Sequence, residues 1–125
     1  MTYGAERLLS DMVELGFDAE ILADSGGNKY IVIRKYEIDI GRFANRIIDL
    51  GIMATPDFPR SAPSSIHIKA NPQLLEKTDT IPNIRNIIDS SLGLDWRYWS
   101  HNFNWTEERS TRRLISQINT IFKDA

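Results

Sequence analysis

Residues 46–69 read Arg-Ile-Ile-Asp-Leu-Gly-Ile-Met-Ala-Thr-Pro-Asp-Phe-Pro-Arg-Ser-Ala-Pro-Ser-Ser-Ile-His-Ile-Lys. The β-branched run Arg46–Met53 predicts a strand. The shorter alternating piece Ser65–Lys69 predicts another, with Ile66 and Ile68 on one face and His67 on the opposite, surface-facing one. Between them stand Pro56, Pro59 and Pro63 with Phe58 among them. Each proline fixes its own φ and biases the preceding residue to extended backbone, so this connection is stiff and non-helical. Phe58, Pro59 and Pro63 are read as fold-defining.

Working outward toward the N-terminus, Ala5, Leu8, Leu9, Met12 and Val13 recur at helical spacing, and Gly16 is placed to end a helix over about residues 3–15. Phe17–Leu22 and Lys29–Arg34 read as two strands joined through Ser25-Gly26-Gly27-Asn28. That glycine pair is a hairpin turn, lacking the lysine and following helix of a phosphate loop, so nucleotide binding belongs to a partner. Strands in succession, with no helices between them, predict an antiparallel meander of four.

Toward the C-terminus, residues 70–95 carry little periodicity beyond Ile84, Ile87 and Ile88, and long irregular segments in compact domains are commonly functional. The aromatic group Trp96, Tyr98, Trp99, Phe103 and Trp105 follows and reads as a wedge packing the last helix onto the sheet. That helix is expected to begin near Thr106-Glu107-Glu108, with the stripe Leu114, Ile115, Ile118, Ile121 and Phe122. The whole, residues 1–125, reads as one α+β domain: helix, four strands, long irregular segment, helix.

Composition narrows the function classes. With 42% hydrophobic and 26% charged residues the chain is an ordinary globular one. Its 15 lysines and arginines against 17 acids, net −2, leave no excess positive charge for nucleic acid. Residues 1–24 hold Arg7 alone against Glu6, Asp11, Glu14, Asp18, Glu20 and Asp24, giving the first helix an acidic face, solvated or used to dock a basic partner. No apolar run approaches the roughly 18 residues of a membrane span and no signal pattern opens the chain, so a cytoplasmic protein without membrane contact is expected. There is no cysteine, and the two histidines lack ligand spacing, so neither a zinc site nor another cofactor is expected.

The order of elements resembles the ubiquitin-conjugating enzyme fold. Ile48-Asp49-Leu50-Gly51-Ile52, then Asp57-Phe58-Pro59 and Pro63, then Ile66-His67-Ile68 look like that family's strand and its Tyr-Pro-x-x-Pro-Pro signature. Asp95–Ser100, Trp105 and the terminal helix look like the tail of compact prokaryotic members found in bacterial ubiquitin-like conjugation operons. The resemblance implies docking on an activating enzyme and transfer of the C-terminus of a ubiquitin-like protein. It also implies a cysteine thioester in the segment after the fourth strand, a few residues beyond a His-Pro-Asn motif. Here the nearest match is Ile81-Pro82-Asn83, and counting on lands at Asp89-Ser90-Ser91, with Trp96 at about the family's distance. Eukaryotic members present a basic first helix to the activating enzyme, whereas this one is acidic.

Three accounts fit the absent cysteine. In the first, Ser91 or Ser90 accepts the acyl group as an oxyester. A serine needs a base within hydrogen-bond reach, so Asp89, His67 or His101 must approach, and the choice falls on His101 or Asp89. Asn83 then supports the oxyanion or the loop, as the family implies. In the second, serine or alanine has replaced a cysteine. In the third, the chain is a noncatalytic variant that binds and positions a ubiquitin-like protein or partner enzyme. Read without catalysis, Asp89-Ser90-Ser91-Leu92-Gly93 is turn chemistry and His101 completes a polar rim.

Overall fold

A computed structural model describes residues 3–82, 84–105 and 109–125. Helix α1 (Gly4–Glu14) buries Leu8 and Met12, one turn apart, and Ala5 and Leu9 pack beside them. It ends where the periodicity places its end: the Gly16 N–H bonds the Val13 carbonyl and the Phe17 N–H bonds the Met12 carbonyl, both at 3.0 Å. This pair of bonds satisfies carbonyls that a helix terminus leaves open.

Strands β1 (Ala19–Ala23), β2 (Lys29–Glu37), β3 (Ile47–Met53) and β4 (Ser65–Lys69) pair antiparallel in sequence order, the expected meander. Asp24 fastens the first turn, its Oδ1 accepting the N–H groups of Gly26 at 2.9 Å and Asn28 at 3.0 Å. The proline-rich connection before β4 forms neither helix nor strand and is pinned by Phe58, which is fully buried with its ring 5.8 Å from Trp105.

The sheet does not stop at four strands. The segment expected to be irregular contributes β5 (Ile87–Ser90), and the aromatic run forms β6 (Gly93–Ser100). The order is β1-β2-β3-β4-β6-β5, so the chain crosses past the last position and returns to pair β6 with β4. The aromatic and β-branched residues of these strands favour a sheet. A bulge interrupts the register of the pair: Asp89 pairs with Arg97, yet Ser90 pairs with Gly93.

Helix α2 (Thr111–Asp124) covers the same sheet face as α1, burying Leu114, Ile118, Ile121 and Phe122, each side chain contributing about 1.5–3 kcal/mol on burial. Its expected start at Thr106–Glu108 lies outside the described residues; the described helix begins at Thr111, where the Ser110 hydroxyl accepts the Arg113 N–H at 3.2 Å. The two helices are tied through Asp11, which accepts from the Thr111 hydroxyl at 2.6 Å and from Arg7 Nε at 2.9 Å. One acid of the α1 face is therefore structural.

The aromatic wedge divides between the two faces of the sheet. Trp99 meets Phe122 at 5.9 Å, Phe103 is buried, and Trp105 Nε1 donates to Gln117 at 2.7 Å, all on the α2 side. Trp96 instead joins Tyr30 and Val32 in a second, smaller cluster with Leu22, Met53 and Leu92. No helix among the described residues is long and apolar enough to cross a membrane.

Candidate active site

The second cluster surrounds the polar groups that chemistry requires. Alternation along β4 sends Ile66 and Ile68 into the main core and turns Ser65 and His67 to the opposite face, as read from the sequence. That face, however, is not a surface here. His67 is only 3% exposed, a correction to the sequence reading. The turn joining β5 to β6 folds Leu92 over it, and Tyr30 and Tyr98 set their rings edge-on to the imidazole at 4.9 and 5.3 Å.

Gly51 on β3 makes room for this cover. A Cβ there would lie 3.0 Å from Leu92 Cδ1, 3.3 Å from His67 Cβ and 3.4 Å from Trp96 Cζ3. Gly51→Ala should therefore push the turn outward at a cost of about 1–2 kcal/mol, read from urea unfolding. The Leu92 amide should lose protection from hydrogen exchange in the same variant.

His67 Nδ1 lies 2.7 Å from Ser90 Oγ, and its Nε2 lies 3.2 Å from Ser65 Oγ. The Leu92 N–H donates to Ser90 Oγ at 3.1 Å. In the tautomer protonated on Nε2, that nitrogen donates to Ser65 and Nδ1 accepts the Ser90 hydroxyl. Burial pushes His67 down to about 4 while the nearby Asp24 charge opposes the shift, so the ring is neutral at neutral pH and free to accept a proton. Tyr30 donates to Asp24 at 3.1 Å. Burial first, then that carboxylate, raises the phenol, and the Ser91 hydroxyl opposes them.

The other residues singled out from sequence are placed differently. Ser91 is exposed on the turn beside Tyr30 rather than beside His67. Asp89 turns to the opposite side of its strand, 3.3 Å from Lys77 Nζ and 3.8 Å from Arg97 Nη1. His101 lies beyond the end of β6, its ring 4.6 Å from Phe103, on the rim of a separate cleft. Asn83 lies outside the described residues. The side chain within hydrogen-bond reach of Ser90 is thus His67, while Asp89 and His101 have other partners. The signal for it was Ser65-Ile66-His67, which puts a hydroxyl and an imidazole on one strand face, but nothing local revealed that the face would be covered.

A hydroxyl bonded to a neutral imidazole can lose its proton as it attacks a carbonyl, the elementary requirement for serine acylation. The surrounding architecture supplies the context for that pair. The family model of prokaryotic E2 family E matches residues 7–124 of the chain.

The chain belongs to prokaryotic E2 family E.

No curated protein and no solved structure gives a match. The α+β fold is consistent with that membership, which carries with it a ubiquitin-conjugating-like role. Within this E2 domain, Ser90 on β5 follows β4 in the chain and meets His67 on β4, and the chain has no cysteine.

Proposed function

We propose that this E2 domain docks on an activating enzyme and takes the C-terminus of a ubiquitin-like protein onto Ser90 as an oxyester, with His67 as the base. The observation that carries the reading is the 2.7 Å contact between Ser90 Oγ and His67 Nδ1. Ser90 Oγ attacks the carbonyl carbon of the thioester held on the activating enzyme, and its proton passes to Nδ1. The tetrahedral intermediate then collapses with loss of the partner's thiolate, which takes the proton from the imidazolium. An acceptor amine, or water, later displaces the ester and frees Ser90. ATP is consumed by the activating enzyme, so this chain needs no nucleotide site.

A second reading rests on the burial that lowers His67 to about 4. A ring so weakly basic takes up a proton less readily than one poised near neutral pH. The Ser90–His67 bond then serves to seat the β5–β6 turn, and the domain presents a ubiquitin-like protein without forming a covalent bond.

Intact mass after mixing with the activating enzyme, a ubiquitin-like protein and ATP separates the two. Acylation predicts a hydroxylamine-sensitive adduct that disappears in Ser90→Ala, persists in Ser91→Ala and forms more slowly in His67→Gln. In Ser90→Cys the adduct should become a thioester that reductant removes. Stable complex formation with no adduct in either the native protein or Ser90→Cys would leave the presenting role.

A further inference from the structure

A cleft of about 680 Å³ opens where β4 begins and β6 ends. Its size falls within the ~300–1,000 Å³ typical of binding sites. Its polar lining is rich in donors: the Arg85 guanidinium, the hydroxyls of Ser64, Tyr98 and Ser100, and the Asn102 amide, with the His101 imidazole beside them. No carboxylate is among the described residues that line it. This is unusual on a chain with 17 acids, and four other surface clefts each include at least one, Asp39, Asp49, Asp11 or Glu6.

The donors are open to a ligand. Arg85 bonds Ser100 O through its backbone N–H at 3.3 Å, but its exposed guanidinium has no hydrogen bond or ion pair with a described residue. Arg7, Arg34 and Arg97, by contrast, are each matched to a carboxylate. Ser100 Oγ accepts the Asn86 N–H at 2.8 Å, which orients its own proton away from that bond. Pro63 and Ile84 add apolar wall.

We propose that this cleft binds a side-chain carboxylate of an acidic peptide segment, held by Arg85 with Ser64, Ser100 and Asn102 donating around it. A single guanidinium fork matches the charge and planar geometry of one carboxylate. The apolar walls receive the methylene stem and neighbouring backbone. Tyr98 separates the cleft from the imidazole of His67, its ring 5.3 Å away, so a bound segment lies beside the Ser90 pocket. The assignment rests on the cleft's own chemistry and holds whether or not Ser90 is acylated.

The test is titration of ¹⁵N-labelled protein with N-acetylated tetraglutamate, with tetraglutamine and inorganic phosphate in parallel. Shifts should centre on the amides of Ser64, Arg85, Ser100 and Asn102, and be absent with tetraglutamine. Affinity should fall about fivefold or more in Arg85→Gln and vanish in Arg85→Glu, exposed positions where the fold is retained. Lys123→Gln, on a different cleft, should bind normally. Binding that survives Arg85→Glu, or shifts centred elsewhere, overturns the assignment. Equal binding of inorganic phosphate at the same amides overturns the peptide-carboxylate class.

Discussion

Gly41→Ala is expected to lower the unfolding free energy by about 3 kcal/mol, among the largest losses available from one methyl group. Gly41 lies in the connection between β2 and β3, with φ of +82°. There a side chain costs on the order of 1–2 kcal/mol in backbone strain alone. The second contribution is steric. A Cβ would overlap the Phe122 carbonyl oxygen and lie 3.2 Å from Lys123 Cα, so backbone rather than a flexible side chain stands in the way. The end of α2 cannot yield cheaply, because Phe122 is fully buried, with Trp99 at 5.9 Å and Tyr36 at 6.2 Å. Gly27 is the control: its φ is +84° with nothing within 4 Å of an added Cβ, so Gly27→Ala should show the backbone contribution alone. Urea unfolding should give a midpoint lowered by more than 1 M for Gly41→Ala at unchanged slope, taking a slope of about 2 kcal/mol/M. Equal midpoints for the two variants would mean that the connection moves away from α2 at no cost.

These contacts also show which parts of the fold a local reading reaches. The stripes of α1 and α2, the Gly16 stop and the four-strand meander follow from periodicity and turn chemistry confined to each element. The proline connection is likewise legible, because proline acts on its own backbone and its neighbour's. What escaped was non-local. Ile84, Ile87 and Ile88 carry helical spacing, yet Ile87 faces Trp99 across a strand pair. Trp96, Tyr98 and Trp99 looked like one packing group, while a strand necessarily sends Trp96 and Tyr98 to the face opposite Trp99. Once β6 is inserted beside β4, the turn before it closes over the outer face and His67 is buried. The candidate site followed the same division. Ser90 and Ser91 could be found by counting from Pro82 and Asn83, but their different surroundings depend on which one faces β4.

The burial of His67 should make the domain acid-sensitive by about 3 kcal/mol, in a window set by that one ring. In the unfolded chain a histidine takes up a proton near pH 6.5, whereas in the folded protein His67 does so only at about 4. Between those values the unfolded chain binds the proton and the folded chain does not. Stability from this group is therefore complete above pH 6.5, falls as the pH drops toward 4, and levels off below it. The 2.5-unit interval, at 1.36 kcal/mol per unit, gives the magnitude. Carboxylates titrate in part of the same range, so the informative quantity is the difference between the native protein and His67→Gln, whose amide can still bond Ser90. Urea unfolding at pH 7 and pH 4.5 should show the native protein losing about 2–3 kcal/mol more than the variant. Parallel losses in the two proteins would place the ring in contact with water and sink the buried-imidazole account. The same ring links stability to chemistry. If it takes the proton from Ser90, the acid limb of adduct formation should lie near pH 4 to 5, well below an ordinary histidine's midpoint, because the imidazole stays neutral until then. An acid limb at pH 6.5 with unchanged stability would assign the proton transfer to another group.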